Sequence, residues 1–179
     1  MSLVTKRATI RRDLFKAGIS TEAVYDAAFL YRYYLCWRWS DAPALYFWLL
    51  NPSTADHKSS DNTLEGLISR AKAWGYGAVV IINLFGFRST QPDDMKRARD
   101  PVGPFNDSVT IATLAQAFAE GSPVVCGWGN HGNFVNRDQA AADLARQAGV
   151  KLFALEINSG GQPKHPLYIA QSVKPFAWA

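Results

Sequence analysis

Four short, mostly apolar runs, separated by segments with helical spacing, constrain the fold of this 179-residue chain most strongly. The runs are Ala44–Leu50, Ala78–Ile82, Val124–Cys126 and Lys151–Leu155. Continuous apolarity, rather than alternation, is typical of parallel strands that are covered on both faces. Strands that alternate with helices are joined by right-handed crossovers into a parallel sheet between helices. The pattern therefore predicts an α/β fold, a three-layer α/β/α domain with a mainly parallel central sheet.

Three segments around these runs repeat apolar residues every three or four positions, as amphipathic helices do. The apolar positions are Leu64, Leu67, Ile68, Ala71 and Trp74; Ile111, Leu114, Ala115 and Phe118; and Ala141, Leu144, Ala145 and Ala148. Asp61 is placed to cap the first helix, Asp107 precedes the second, and Gly149 follows the third as a stop signal. We expect each of the three apolar stripes to face the core.

The N-terminal region differs from the rest of the chain in charge. Residues 1–16 contain five basic side chains and one acidic one, the remainder is balanced, and the net charge is +4. We expect residues 1–29 to form a basic arm or helix beside a single α/β/α domain over residues 30–179. Such an arm either contacts nucleic-acid phosphates or is simply solvated. The aromatic run Tyr31–Trp39 contains two arginines, which predicts a partly exposed strand antiparallel to the next one.

Composition and motifs exclude several classes of protein. No apolar run approaches the roughly 18 residues of a membrane-spanning helix, and none follows the basic N-terminus as in a secretory signal, so we expect a cytoplasmic protein without a membrane partner. Cys36 and Cys126 lie in strand-like runs without neighbouring ligands and are expected to be buried thiols. No metal-ligand spacing, catalytic-serine elbow or NTPase phosphate loop is present. Gly127, Gly129 and Gly132 match a dinucleotide-binding pattern without its acidic partner, so we expect neither a metal nor a cofactor.

Polar and aromatic residues follow each predicted parallel strand. In open parallel sheets, ligands bind beyond the carboxyl ends of the strands, where the loops converge. The candidate site residues at these ends are Asn51, Pro52, Ser53, Thr54, Asp56, Asn83, Phe85, Arg88, Thr90, Trp128, Gly129, His165 and Tyr168. Most of them alone are explained as well by a turn or a cap, and a structural role is favoured for His57 and His131. Their convergence predicts a crevice at one edge of the sheet.

The order of these motifs resembles domain-of-unknown-function family 1643, a bacterial and phage family. The matching motifs stand at Leu50–Asp56, Asp61–Thr63, Trp74–Gly77, Asn83–Thr90, Asp100–Gly103, Trp128–Gly129 and His165–Tyr168. More loosely, the order is similar to that of the uracil and mismatch-specific DNA glycosylase superfamily, whose fold is an α/β/α sheet. Two residues depart from that superfamily's pattern. Leu50 stands where the superfamily has a glycine-containing turn, and Leu167 stands where it has a serine that binds DNA phosphate.

The looser resemblance implies roles for individual residues. Asn51 would position the water that attacks the glycosidic carbon, and His165 would stabilise negative charge on the departing base. The pocket wall would include Asn83, Arg88 and Thr90, and an aromatic such as Phe85 or Trp128 is suited to stack on a base. The resemblance thus predicts hydrolysis of an N-glycosidic bond in a nucleoside, nucleotide or modified nucleic acid. The alternatives are a non-catalytic module that binds a nucleobase-containing molecule or nucleic acid, and a different reaction on a small metabolite; the oligomeric state stays open.

Overall fold

The computed structural model describes residues 8–15, 18–53 and 56–178, and these residues form one eight-stranded sheet with four α-helices and two 3₁₀ segments. The strands are β1 (Thr9–Phe15), β2 (Ile19–Tyr25), β3 (Arg32–Arg38), β4 (Ala44–Leu49), β5 (Ala78–Asn83), β6 (Val124–Cys126), β7 (Leu152–Ala154) and β8 (Phe176–Ala177). The helices are α1 (Asn62–Ala73), α2 (Pro92–Arg97), α3 (Asn106–Glu120) and α4 (Arg137–Gln147), and the 3₁₀ segments are Asn130–Asn136 and Pro166–Tyr168. The predicted α/β class is confirmed.

The sheet is mixed, which corrects the expectation of a mainly parallel one. Its strand order is β1-β2-β3-β5-β4-β6-β7-β8. The four neighbouring strands β5, β4, β6 and β7 are parallel, whereas β1, β2 and β3 add to β5 antiparallel and β8 adds to β7 antiparallel. Strands β1, β2 and β3 follow one another in the chain with short connections, as antiparallel neighbours can, whereas the antiparallel pairs β3–β5 and β7–β8 join strands that are far apart in the sequence. The predicted antiparallel strand near Tyr31–Trp39 is confirmed as β3, which pairs with β5, but it is mostly buried rather than partly exposed.

Residues 9–15 and 19–25 form the antiparallel pair of strands β1 and β2, the hairpin β1–β2, rather than the arm or helix that the basic composition suggested. In β2 the buried side chains Thr21, Ala23 and Tyr25 alternate with more exposed ones, the period-2 pattern of a strand with one face on the core. Arg11 and Arg12 are exposed in the edge strand β1, where charged side chains discourage pairing with another chain. Lys6, Arg7 and Lys16, the other basic residues of this region, lie outside the described residues.

The apolar strands β4 and β5 pack on both of their faces. In β4, Ala44, Tyr46 and Trp48 join a core cluster with residues of α2, α3 and α4, whereas Leu45 and Phe47 join a second cluster with residues of α1. Side chains of a strand point alternately to opposite faces, so continuous apolarity corresponds to helices on both sides. Among the described residues, no helix is long and apolar enough to cross a membrane.

The helices largely follow their predicted signals. Asp61 caps α1 by accepting a hydrogen bond from the Leu64 N–H at 2.8 Å, and Gly149 follows α4 with a φ of +69°. In α3 the expected stripe is wrong in part, because Ile111 and Phe118 are 38% and 64% exposed. Three polar residues, Asn106, Thr110 and Thr113, share the buried face of α3 with Leu114 and Ala117. Apolar spacing alone therefore assigned the wrong rotation to this helix.

Candidate functional site

A cleft of about 660 Å³ opens where the strand order reverses beside β4. The chain passes from β4 to β5 on one side and then crosses to β6 on the other. At such a switch point the loops after the two strands diverge and leave a crevice beyond their carboxyl ends. The cleft is lined by residues of the loops that follow β4, β5, β6 and β7, and by the first residues of α1.

The cleft brings together most of the predicted site residues. Those that line it are Asn51, Ser53, Asn83, Thr90, Trp128, Gly129, His165 and Tyr168. They come from four separate segments of the chain, so their proximity is a consequence of the parallel sheet and its crossovers. His131 also lies in the lining, with its Nδ1 3.0 Å from the Lys96 Nζ.

Asn51 joins two loops of the cleft. Its amide nitrogen donates to the carbonyl oxygen of Ser89 at 2.7 Å and to that of Pro52 at 3.2 Å. This bonding assigns the amide orientation and leaves the side-chain oxygen as an acceptor, because no hydrogen bond to it comes from the described residues. Asn51 therefore offers an acceptor, and not a base, at the end of β4.

Ser53 and Asp61 form a fixed pair on the wall beside α1. The Ser53 hydroxyl donates to Oδ2 of Asp61 at 2.6 Å, while Oδ1 accepts the capping bond from Leu64. Both carboxylate oxygens are thus engaged, one by the helix terminus and one by the loop. Asp61 contributes negative charge to the cleft while its bonds hold the loop after β4 against the start of α1.

Asn83, the last residue of β5, is only 1% exposed and lines the cleft. Its side-chain nitrogen is buried and has no hydrogen-bond partner among the described residues. Its backbone oxygen is held by the Asn106 amide at 3.0 Å, so the strand end itself is anchored. A buried polar group without a partner costs stability, about 1–3 kcal/mol, unless a ligand or water supplies the partner. The Asn83 side chain therefore borders the cleft, while its amide nitrogen lies beneath the surface without a hydrogen-bond partner among the described residues.

His165 stands directly before the 3₁₀ turn Pro166–Tyr168. Its Nδ1 accepts from the Leu167 N–H at 3.3 Å, which places the proton of the neutral ring on Nε2. Burial lowers the pKa of His165, and the opposing attraction of Asp61 does not cancel this effect. At neutral pH the ring is therefore an uncharged donor through Nε2. Tyr168, which is 72% exposed, packs its ring against His165 at a centroid distance of 5.9 Å.

Trp128 borders the cleft but is only 2% exposed, and its polar edge is turned to the protein. Its indole N–H donates to Oε1 of Gln162 at 2.7 Å, and Nε2 of Gln162 donates to Asp138 at 2.8 Å. The ring also meets Trp48 edge-on at 5.9 Å. With the N–H already bonded and the ring packed in the core, Trp128 supports the cleft from beneath and has no open face on which a ligand could stack.

The three glycines around Trp128 each have a local reason. A Cβ on Gly127 would lie 2.5 Å from Cδ of Pro166, and one on Gly132 would lie 2.0 Å from Cδ1 of Trp128. Gly129 adopts a φ of +70°, the left-handed region that favours glycine. Close packing and one backbone conformation therefore explain the spacing that resembles a dinucleotide-binding pattern.

Arg32 is a cleft residue that the sequence analysis did not single out. It lies in β3, is buried, and lines the cleft. Burial lowers the pKa of Arg32 to about 10, with Tyr25 and Asp61 acting in the opposite direction. The side chain therefore keeps its positive charge at neutral pH. The signal in the sequence was an arginine between two tyrosines, which we interpreted as a sign of exposure.

Other lining residues also went unrecognised. These polar residues are Thr63, Gln91, Asn158 and Lys164. Lys164 is held by an ion pair with Glu156 at 2.8 Å. The sequence offered one signal for Lys164: it stands next to His165, just before the 3₁₀ turn Pro166–Tyr168.

Four predicted site residues do not line the cleft, and Thr54 lies outside the described residues. Phe85 is fully buried and packs against Phe134 in the core, so it has no face for a ligand. Pro52 is buried, and its carbonyl oxygen accepts from the Ser89 N–H at 2.9 Å. Arg88 lies over the ring of Tyr25 at 5.5 Å from the centroid.

Asp56 closes a turn outside the cleft. Its Oδ1 accepts from the backbone N–H groups of Lys58 and Ser59 at 2.7 and 2.8 Å. Burial raises the pKa of Asp56, but these hydrogen bonds outweigh it and lower the pKa overall. His57 is tied to the hairpin, since its carbonyl oxygen accepts from the Thr21 hydroxyl at 2.7 Å. Both residues are explained by local structure.

The donor set of the cleft suits an uncharged or anionic polar ligand. Within the described residues, no group of three or more His, Cys, Asp or Glu side chains is arranged to hold a metal ion, and both cysteines are free and buried. His165 supplies an N–H donor, Arg32 supplies positive charge and Asn51 supplies an acceptor, while Asn83 and Trp128 border the cleft as buried side chains. Such an arrangement can hold a planar polar group and stabilise negative charge that develops on it.

Comparisons with known proteins identify a family and little more. Residues 32–167 match the sequence model of a family described as "Protein of unknown function (DUF1643)". No curated protein matches the chain. Among solved structures, an acetyl xylan esterase from Paenibacillus sp. R4 matches with a TM-score of 0.38 and 15% identity, over 78% of this chain and 50% of the esterase chain. The chain thus spans about half the length of that enzyme. A likeness of this degree supports no argument about the fold or the reaction of the present chain.

Proposed function

The chain belongs to the DUF1643 family, whose description assigns no reaction, and we propose from the cleft itself that the protein hydrolyses an N-glycosidic bond. The substrate is a nucleoside, a nucleotide or a modified nucleic acid. The single observation that carries the proposal is the buried amide of Asn83, which has no partner among the described residues and lines the cleft. A donor kept buried at such a cost is accounted for by a ligand that presents an acceptor to it.

In the proposed reaction the bond between C1′ of the sugar and the base nitrogen breaks, and its electron pair leaves with the base. Water adds to C1′, its oxygen becomes the new hydroxyl, and its proton passes to the base or to solvent. The side-chain oxygen of Asn51 orients this water by accepting a hydrogen bond from it. A cationic sugar needs no strong nucleophile, so a neutral acceptor is sufficient.

The departing base is stabilised by donors. Nε2–H of His165, neutral because burial lowers its pKa, donates to the base as negative charge develops. In the proposed complex the Asn83 amide turns toward the base and donates to another of its acceptors. Arg32 adds positive charge at the cleft, which favours the anionic product over the neutral substrate.

We also infer that the core is the three-layer arrangement of the uracil and mismatch-specific glycosylases. Two features support this inference. Helices pack against both faces of the parallel strands, and the cleft lies beyond their carboxyl ends. The antiparallel strands β1, β2 and β3 would then be an extension of that core.

A non-catalytic binding module is the second candidate, and the Ser53–Asp61 pair favours it. Both oxygens of this carboxylate are already bonded, so Asp61 is poorly placed to act as a general base. A cleft of fixed donors without a free carboxylate serves recognition as well as catalysis. The two candidates share a ligand and differ in turnover.

Release of free base separates the candidates. The wild-type protein is incubated with nucleosides, nucleotides and short oligonucleotides, and free bases are quantified by chromatography and mass spectrometry. Asn51→Ala should keep ligand affinity and lose product, whereas His165→Ala should lower turnover. Tight binding without product in the wild-type protein would support the binding module. If the panel shows neither binding nor product, the proposal moves to a different reaction on a small metabolite.

A further inference from the structure

Arg70 is a buried cation of α1 on the side of the sheet that carries His165. It is 1% exposed, and burial lowers its pKa. No ion pair involves Arg70 in the part of the chain that the structure describes. A guanidinium group that is taken out of water needs acceptors for its N–H groups, and here backbone carbonyls supply them.

The carbonyls bound by Arg70 belong to the segment that follows the His165 turn. Nη2 donates to Ile169 at 3.0 Å and to Ala170 at 3.2 Å, and Nη1 donates to Val173 at 3.0 Å and to Gln171 at 3.3 Å. The amide of Gln171 adds a bond from the segment back to α1, to the Gly66 carbonyl oxygen at 3.1 Å. Residues 169–173 are thus clamped onto α1 by five hydrogen bonds, and we call this set the α1 clamp.

The α1 clamp acts on a short wall of the cleft. Only the 3₁₀ turn Pro166–Tyr168 separates the clamped segment from His165. On the opposite side, Pro166 is seated against Gly127, where no Cβ would fit. The wall is therefore held at both ends, by Gly127 near the end of β6 and by Arg70 on α1. Asp61, at the N-cap of the same helix, lines the cleft.

We propose that Arg70 is a positioning residue: through the α1 clamp it fixes the cleft wall that carries His165. The proposal rests on the proposed function only for its catalytic consequence, since the position of the wall is a property of the free protein. Arginine suits this task because its planar, forked donors reach several carbonyls at once, which an ammonium group cannot reproduce with the same geometry.

The surroundings of His165 provide a readout that does not need a substrate. Asp61 is the charged group that acts on the ring from another element; on its own segment, Tyr168 packs beside it and Lys164 is paired with Glu156. If the wall loosens, the ring gains solvent, and its pKa returns from a lowered value towards the ordinary value of about 6.5.

The test is an NMR titration of the three histidines in the wild-type protein and in Arg70→Lys. We expect the pKa of His165 to rise in the variant, and the change to be confined to His165 among the three histidines. Arg146→Lys, an exposed arginine paired with Asp143 on α4, is the matched control and should move none of them. An unchanged His165 in folded Arg70→Lys, or an equal change in all three histidines, would overturn the proposal.

Gln171→Ala keeps the proposal testable should Arg70→Lys not fold. Gln171 is exposed, and its substitution removes only one bond of the clamp. A smaller rise in the pKa of His165 alone supports the clamp, and no change rejects it. The titration and the base-release assay test the two proposals independently. If no base is released but the titration gives the expected result, the proposed function is rejected and the role of Arg70 stands.

Discussion

Asn83 and Asn106 are two buried asparagines for which leucine should have opposite effects. The side-chain nitrogen of Asn83 has no partner among the described residues, whereas that of Asn106 donates to the carbonyl oxygens of Asn83 and Leu84 at 3.0 and 2.9 Å. Leucine has nearly the shape of asparagine and removes the polar atoms. The substitution at position 83 therefore tests whether its amide is kept for a ligand rather than for the fold.

The expected magnitude follows from the partners that each amide has. An unpartnered buried donor costs about 1–3 kcal/mol, and because Asn83 borders the open cleft we expect the lower end, a gain of about 1 kcal/mol for Asn83→Leu. In a domain of this size that gain raises Tm by about 2–4 °C. Asn106→Leu should instead lower the free energy of unfolding by about 1–3 kcal/mol, because the Asn83 carbonyl oxygen loses the hydrogen bond from the Asn106 amide.

Urea denaturation of the two variants beside the wild-type protein measures both effects. The same Asn83→Leu variant should bind nucleobase-containing ligands about tenfold more weakly, since about 1.4 kcal/mol of hydrogen bonding is lost. A loss of more than 1 kcal/mol of stability in Asn83→Leu would refute the reasoning, because it would mean that the amide supports the fold. Unchanged ligand affinity would refute the role of Asn83 in binding.

Three further predictions concern the cleft wall and its charges. Gly132→Ala places a Cβ 2.0 Å from Trp128, so the indole must move, its fluorescence emission should shift and ligand affinity should fall; an unshifted spectrum contradicts this. Asp61→Ala removes the cap of α1 and the acceptor of Ser53, and should lower the free energy of unfolding in urea by about 2 kcal/mol. A decrease below about 0.5 kcal/mol would show that neither hydrogen bond contributes to stability. Because burial lowers the pKa of His165, the unfolded chain takes up the proton first as pH falls below about 6.5, and stability declines from there down to the lower pKa of the folded state. His165→Gln should flatten that part of the stability curve, and an unchanged slope would assign it to another group.

Much of the parallel core could be predicted because local and tertiary requirements agree there. β4 and β5 are apolar at every position but the last of β5, since helices cover both faces, and Asp61 caps α1 as its position indicated. Most of the candidate residues at the strand ends lie together at the cleft for the same reason, because the topology of a parallel sheet brings those ends together. The position of the crevice thus followed from the fold class.

The errors arose where polar residues are buried or apolar ones are not. Asn106 turns the buried face of α3 away from the expected stripe because it is needed at the carbonyls of Asn83 and Leu84. Arg32 is buried in a strand that charge marked as exposed, and Phe85 belongs to the core although it follows a strand end. The hairpin β1–β2 was missed because basic residues dominate its edge strand. Each case depends on tertiary partners that sequence spacing does not contain.

A ligand-shift melt tests most directly whether the cleft binds a nucleobase. Wild type and Asn83→Leu are heated with bases, nucleosides, nucleotides, and single- and double-stranded oligonucleotides, since a ligand that binds only the folded state must raise Tm. We expect that at least one class raises the Tm of the wild-type protein and that the rise is reduced in Asn83→Leu. No rise with any class, or an equal rise in both proteins, would contradict this expectation.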